Sequence, residues 1–84
     1  MLKKSQIIRK DAARLLKQVL NGEISPSNAR AEWPKNEGGD KLLDEAFHEL
    51  YHYEDDKKIR EKDETYANWQ KKWIKNIVVM LENT

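Results

Sequence analysis

Eighty-four residues carry 16 basic against 15 acidic side chains, a net charge of +1, and no cysteine. A chain of this length buries only roughly 60–65% of the surface its unfolded form exposes, which allows one domain with one thin core and excludes a two-domain enzyme or a deep cofactor-cradling cleft. The missing cysteines exclude disulfides, thiolate nucleophiles and zinc knuckles, and the near-neutral balance commits the chain to no class of partner.

From about Lys3 to Asn21, apolar residues at Ile7, Ile8, Ala12, Leu15, Leu16, Val19 and Leu20 follow the i, i+3, i+4 spacing of one helical face. Gly22 stands where that helix should stop. Ser25 is placed as an N-cap, Pro26 at the first helical position, and Pro34 as the terminator of a helix of about two turns. After a polar loop over residues 35–39, Asp40 can cap a third helix carrying Leu42, Leu43, Ala46, Phe47, Leu50, Tyr51 and Tyr53. Ile59 is the only apolar residue between Tyr53 and Tyr66 and is expected to plug the connecting turn into the core. Asp63 is a plausible cap for the last helix, whose inward set is Tyr66, Trp69, Trp73, Ile74, Ile77, Val78 and Leu81. The expected fold is all-α: one domain over residues 1–84, a compact antiparallel bundle of three longer helices and one short helix. Trp33, Trp69 and Trp73 are expected to pack in its core or at its rim, because a lean core needs its large aromatics.

Charge is unevenly spread. Residues 1–22 carry Lys3, Lys4, Arg9, Lys10, Arg14 and Lys17 against Asp11 alone, a balance of +5, whereas residues 40–64 carry ten acids against five bases, a balance of −5. The basic first helix could touch nucleic-acid phosphates or neutralise the acidic helix beside it; the chain lacks the domain-wide basic excess and recognition helix of a DNA reader, which favours neutralisation. At about 100° per residue, Asp44, His48, His52 and Asp55 gather on one side of the third helix with Glu45, Glu49 and Asp56 next to them. These seven residues are the expected partner-binding surface.

His48-Glu-Leu-Tyr-His52 matches H-E-x-x-H, in which two imidazoles one turn apart share a zinc ion and the glutamate activates a bound water. A catalytic zinc needs a third protein ligand, and the longer metzincin pattern would require glycine at Asp55 and histidine at Lys58. Glu61, Glu64 or Glu82 could supply a carboxylate, but nothing in the spacing selects one. A small metal-binding hydrolase is therefore the alternative reading, with His48 and His52 as its only metal candidates. Ser5, Ser25 and Ser27 have no neighbouring histidine, and Gly22, Gly38 and Gly39 form no phosphate cradle. No catalytic residue and no cofactor is expected.

The run Asp40-x-x-Leu43-x-x-Ala46-x-His48-x-Leu50-Tyr51-His52-Tyr53-x-x-Asp56-x-x-Ile59-Arg60-x-x-Asp63-x-x-Tyr66, preceded by Trp33-Pro34, resembles a pattern found in small bacterial proteins of unknown function. In size and helical make-up the chain is also similar to the immunity proteins that neutralise bacterial toxins. That resemblance implies a one-to-one inhibitor of a toxin domain without enzymatic activity, and it carries over no binding residue by position. An acidic helical face suits a basic partner such as a nuclease domain. The opening residues meet a charge before any apolar run reaches signal-peptide length, and no stretch approaches a membrane span, so a cytoplasmic, membrane-free protein is expected.

Overall fold

The computed structural model describes residues 3–83, and its elements follow the sequence punctuation closely. Helix α1 (Lys4–Leu20) ends because Gly22 adopts φ +73°. This left-handed residue lets Glu23 N–H donate to the Gln18 carbonyl at 2.8 Å and Gly22 N–H to the Val19 carbonyl at 3.1 Å, the paired bonds of a Schellman stop. The short α2 (Pro26–Ala31) begins at Ser25, whose hydroxyl accepts from Asn28 N–H at 3.0 Å, with Pro26 in the first turn where no donor is needed. Helix α3 (Lys41–Asp55) starts at Asp40, which accepts from Leu42 N–H at 3.1 Å. Helix α4 (Lys57–Lys62) is a single short segment, and α5 (Glu64–Glu82) is capped by Asp63, which accepts from Tyr66 N–H at 3.0 Å.

The fold is all-α and compact, with no strand among the described residues. Five helices form among the described residues rather than four: residues 57–62 make a second short helix where a turn was expected. The core is one cluster drawn from α1 (Ala12, Ala13, Leu15, Leu16, Val19), α2 (Ala29), α3 (Leu43, Ala46, Leu50, Tyr53) and α5 (Ile74, Ile77, Val78, Leu81). Helices α1 and α5 share its largest contact, and α2 covers one flank of α3.

Five side chains expected to pack inside are exposed instead. Ile7 and Tyr51 are exposed. Ile7 falls well round α1 from the buried set, and Tyr51 is covered on one face by the Arg30 guanidinium, 4.0 Å from its ring centroid, and met edge-on by Phe47 at 5.4 Å. Trp69 is 58% exposed and Trp73 40% exposed, so neither is a core side chain; only Trp33 packs as expected, half-buried against the core and 5.9 Å from the Phe47 ring. Ile59 does not plug the turn. It is 48% exposed, because α4 buries nothing and is fastened by its neighbour Arg60 instead.

Arg60 lies 3.5 Å over the Tyr53 ring and donates to the Tyr53 carbonyl and, at 2.9 Å, to Gln70 Oε1. Gln70 is buried, and its Nε2 donates at 3.1 Å to Asp56 Oδ2, which also accepts from the Tyr66 hydroxyl at 2.6 Å. This network joins α3, α4 and α5, and it satisfies the one polar side chain in the buried set, as a low-dielectric interior requires.

Candidate protein-interaction face

Helix α3 positions the expected surface residues by its own periodicity, its Leu43, Ala46, Leu50 and Tyr53 being pulled inward so that the opposite side faces water. Asp44, Glu45, His48, His52 and Asp55 are all exposed. Glu49 is half-buried; the Tyr66 phenol is raised above its ordinary value by its hydrogen bond to the Asp56 carboxylate and by desolvation, with the Glu49 charge a minor addition. Asp56 departs from expectation. It is half-buried and bonded to Tyr66 and Gln70, so it belongs to the joint between helices rather than to the free surface.

At its N-terminal end, α3 is held by a second polar network. Arg9 Nε donates to Asp40 Oδ2 at 2.5 Å and Arg9 Nη2 to Asp40 Oδ1 at 2.9 Å, a bidentate pair across 31 residues. The Arg9 hydrogen bonds hold the Asp40 carboxyl below the usual aspartate range against the opposing effect of partial burial. The Asn36 side chain accepts from Asp40 N–H at 2.7 Å and donates at 2.8 Å both to the Asp40 carbonyl and to Asp44 Oδ1. Asp44 is thereby partly committed to its own helix end, while Glu45 and Asp55 project freely.

Four of the five cations of α1 are held in ion pairs, and Lys10 makes none among the described residues. Arg9 pairs with Asp40, Arg14 with Asp11 at 2.7 Å, Lys17 with Glu82 at 2.5 Å and Lys4 with Glu37 at 3.9 Å, and Arg30 of α2 pairs with Glu54. Neutralisation of the acidic helix by the basic one is thus confined to its cap. Among the described residues, no ion pair involves Asp44, Glu45, Glu49 or Asp55.

His48 and His52 stand one turn apart on the exposed side with Glu49 between them in sequence, the geometry H-E-x-x-H requires. No group of three or more His, Asp, Glu or Cys side chains that could hold a metal ion occurs among the described residues. Glu82, one of the three carboxylates considered as a third ligand, is engaged by Lys17. A cleft of about 320 Å³ opens between the first half of α1 and residues 35–40; of its charged groups Asp40 is paired with Arg9 and Lys4 with Glu37, and Lys35 makes no ion pair among the described residues. No described helix is long and apolar enough to cross a membrane.

Sequence reasoning missed Arg60 and Gln70. Gln70 had a signal: it falls at the head of the buried 70, 74, 77, 81 stripe, where a polar residue needs a partner. No protein family, curated protein or solved structure matches this chain.

Proposed function

We propose that this chain is a non-enzymatic protein-binding domain whose longer helices run antiparallel and which engages a basic partner protein through the outward side of α3. Glu45, His48, Glu49, His52 and Asp55 form the contact surface, with Asp44 at its edge. An immunity-type inhibitor, one copy docking on one basic toxin domain in the cytoplasm, is the form of binding this surface suits. The observation that carries the reading is the placement of charge. Arg9 and Arg30 neutralise only the Asp40 cap and Glu54 of α3, and Lys4, Arg14 and Lys17 pair away from it with Glu37, Asp11 and Glu82, which leaves Asp44, Glu45, Glu49 and Asp55 without an ion pair among the described residues and the outward side of α3 with an unbalanced negative field. Such a field draws in an oppositely charged partner and raises its encounter rate.

The test places a photo-crosslinking side chain at Glu45 or His52 in the cell that makes the protein, and at Lys10 of α1 as a control. Crosslinks from α3 to one basic protein, with none from α1, are expected. Crosslinks that arise from Lys10 alone, or that carry nucleic acid, would overturn the reading.

A further inference from the structure

We infer that the exposed tryptophans of α5, Trp69 and Trp73, are the apolar anchors of this same docking surface, so that the partner presents a basic amphipathic segment rather than a merely basic one. The inference rests on the α3 reading and adds the second half of the recognition chemistry. On α5 the buried residues Gln70, Ile74, Ile77 and Leu81 have an outward counterpart displaced by one residue, Trp69, Trp73, Asn76 and Met80, about 100° around the helix. Three of those four are large apolar side chains open to solvent, in a chain whose hydrophobic content is only 38%. A small domain short of core material leaves two neighbouring tryptophans outside at a cost in solubility, and tryptophan is the residue most enriched where binding energy concentrates.

The stripe adjoins the Glu49 flank of α3 through Tyr66. Tyr66, seven residues before Trp73 and on the same side of α5, donates its hydroxyl to Asp56 at the end of α3 and feels the charge of Glu49, a member of the proposed contact surface, while its ring lies 5.7 Å from that of Trp69. The three lysines of α5 avoid this junction: Lys71 and Lys75 lie roughly 140–180° around the helix from the stripe, and only Lys72 flanks it. Aromatic faces beside unneutralised carboxylates suit apolar side chains interleaved with lysine or arginine, whose cations also stack on tryptophan.

A second copy of the chain fits poorly. A two-fold contact through the stripe would bring Glu49 and Asp56 of both copies together, and two part-exposed tryptophans with one methionine fall short of the roughly 800 Å² per partner of a stable interface. An anionic lipid surface would meet the same carboxylates.

The experiment measures binding of a fluorescent helical peptide with one leucine face and one lysine-arginine face to the full chain, beside a leucine-glutamate peptide and a serine-lysine peptide. The expected result is binding of the leucine-lysine peptide alone, weakened about tenfold or more in Trp69→Ser/Trp73→Ser. That variant should melt as the parent does, and a melt that falls with the affinity is answered by Trp69→Ser alone, the more exposed site. Equal affinity for the parent and either tryptophan variant, or no binding by the parent, would overturn the inference. So would vesicles of anionic phospholipid, or self-association lost in the variant, competing for the stripe. Glu45→Lys/Asp55→Lys separates the two proposals: if it leaves the affinity unchanged while the tryptophan variant loses it, the α3 reading fails and the anchors stand.

Discussion

Replacing Asp40 by alanine removes two things at once: the N-cap bond to Leu42, and the bidentate ion pair with Arg9 that ties α1 to the start of α3. Loss of an aspartate cap costs about 1 kcal/mol. The ion pair, whose side chains are 26% and 19% exposed, contributes up to about 1 kcal/mol, and Arg9 is left partly desolvated without its acceptor. A total near 2 kcal/mol lowers the midpoint of a domain this size by roughly 8–16 °C. Asp40→Asn keeps a cap and loses the ion pair, and should fall between the two. The pH dependence has a fixed sign. Arg9 lowers the folded-state pKa of Asp40, so its contribution is complete above the unfolded aspartate value of about 3.9 and disappears as pH falls through the lower folded value. Thermal melts followed by circular dichroism at neutral pH and at acid pH test both points. A gap between parent and Asp40→Asn that persists undiminished once the carboxylate is protonated, or an Asp40→Ala variant as stable as the parent, would refute the reasoning.

Ile74→Ala should cost about 2–5 kcal/mol because it opens a cavity in the core, whereas Trp73→Ala, one position away, should cost under about 1 kcal/mol, and denaturant midpoints compare them directly. Arg60→Ala strips the cation from Tyr53 and the donor from the buried Gln70 carbonyl oxygen, and is expected to cost about 2–3 kcal/mol; Arg60→Lys should not restore it, since one ammonium cannot stack and donate to both oxygens, as amide exchange in α4 and the start of α5 would report. Purified protein is expected to hold no stoichiometric zinc, and His48→Ala/His52→Ala should melt with the parent; one tightly held equivalent lost in that variant would promote the hydrolase reading.

Caps and stops were legible because each is a local event. Gly22, Ser25, Pro26, Asp40 and Asp63 act on backbone groups within a few residues of themselves, and each acts as its residue type dictates. Side-chain burial was legible only where the stripe left one choice. On α5, apolar residues cover more than half the circumference, so periodicity alone could not decide between the side holding Ile74 and Ile77 and the neighbouring side holding Trp69 and Trp73; the answer depends on where α3 and α4 pack. Ile59 illustrates the same limit, since a cation ten residues from its glutamine partner replaced the hydrophobic plug that composition suggested. Of the seven candidate binding residues, five are exposed as expected. Asp56 was misplaced because its partners Tyr66 and Gln70 come from a helix whose rotation the sequence does not reveal.

The binding role of α3 is tested most directly by the association rate constant between this chain and the protein its α3 crosslinks capture, measured across a range of salt concentrations for the parent and for Glu45→Lys/Asp55→Lys. Neither residue makes an ion pair among the described residues, so the reversal should leave helix content and melting nearly unchanged. The predicted result is a parent rate that falls steeply with salt and a variant rate at least about tenfold slower at low salt, the two converging as the charges are screened. Equal rates for parent and variant at low salt, with no dependence on ionic strength, would contradict the assignment of α3 as the docking surface.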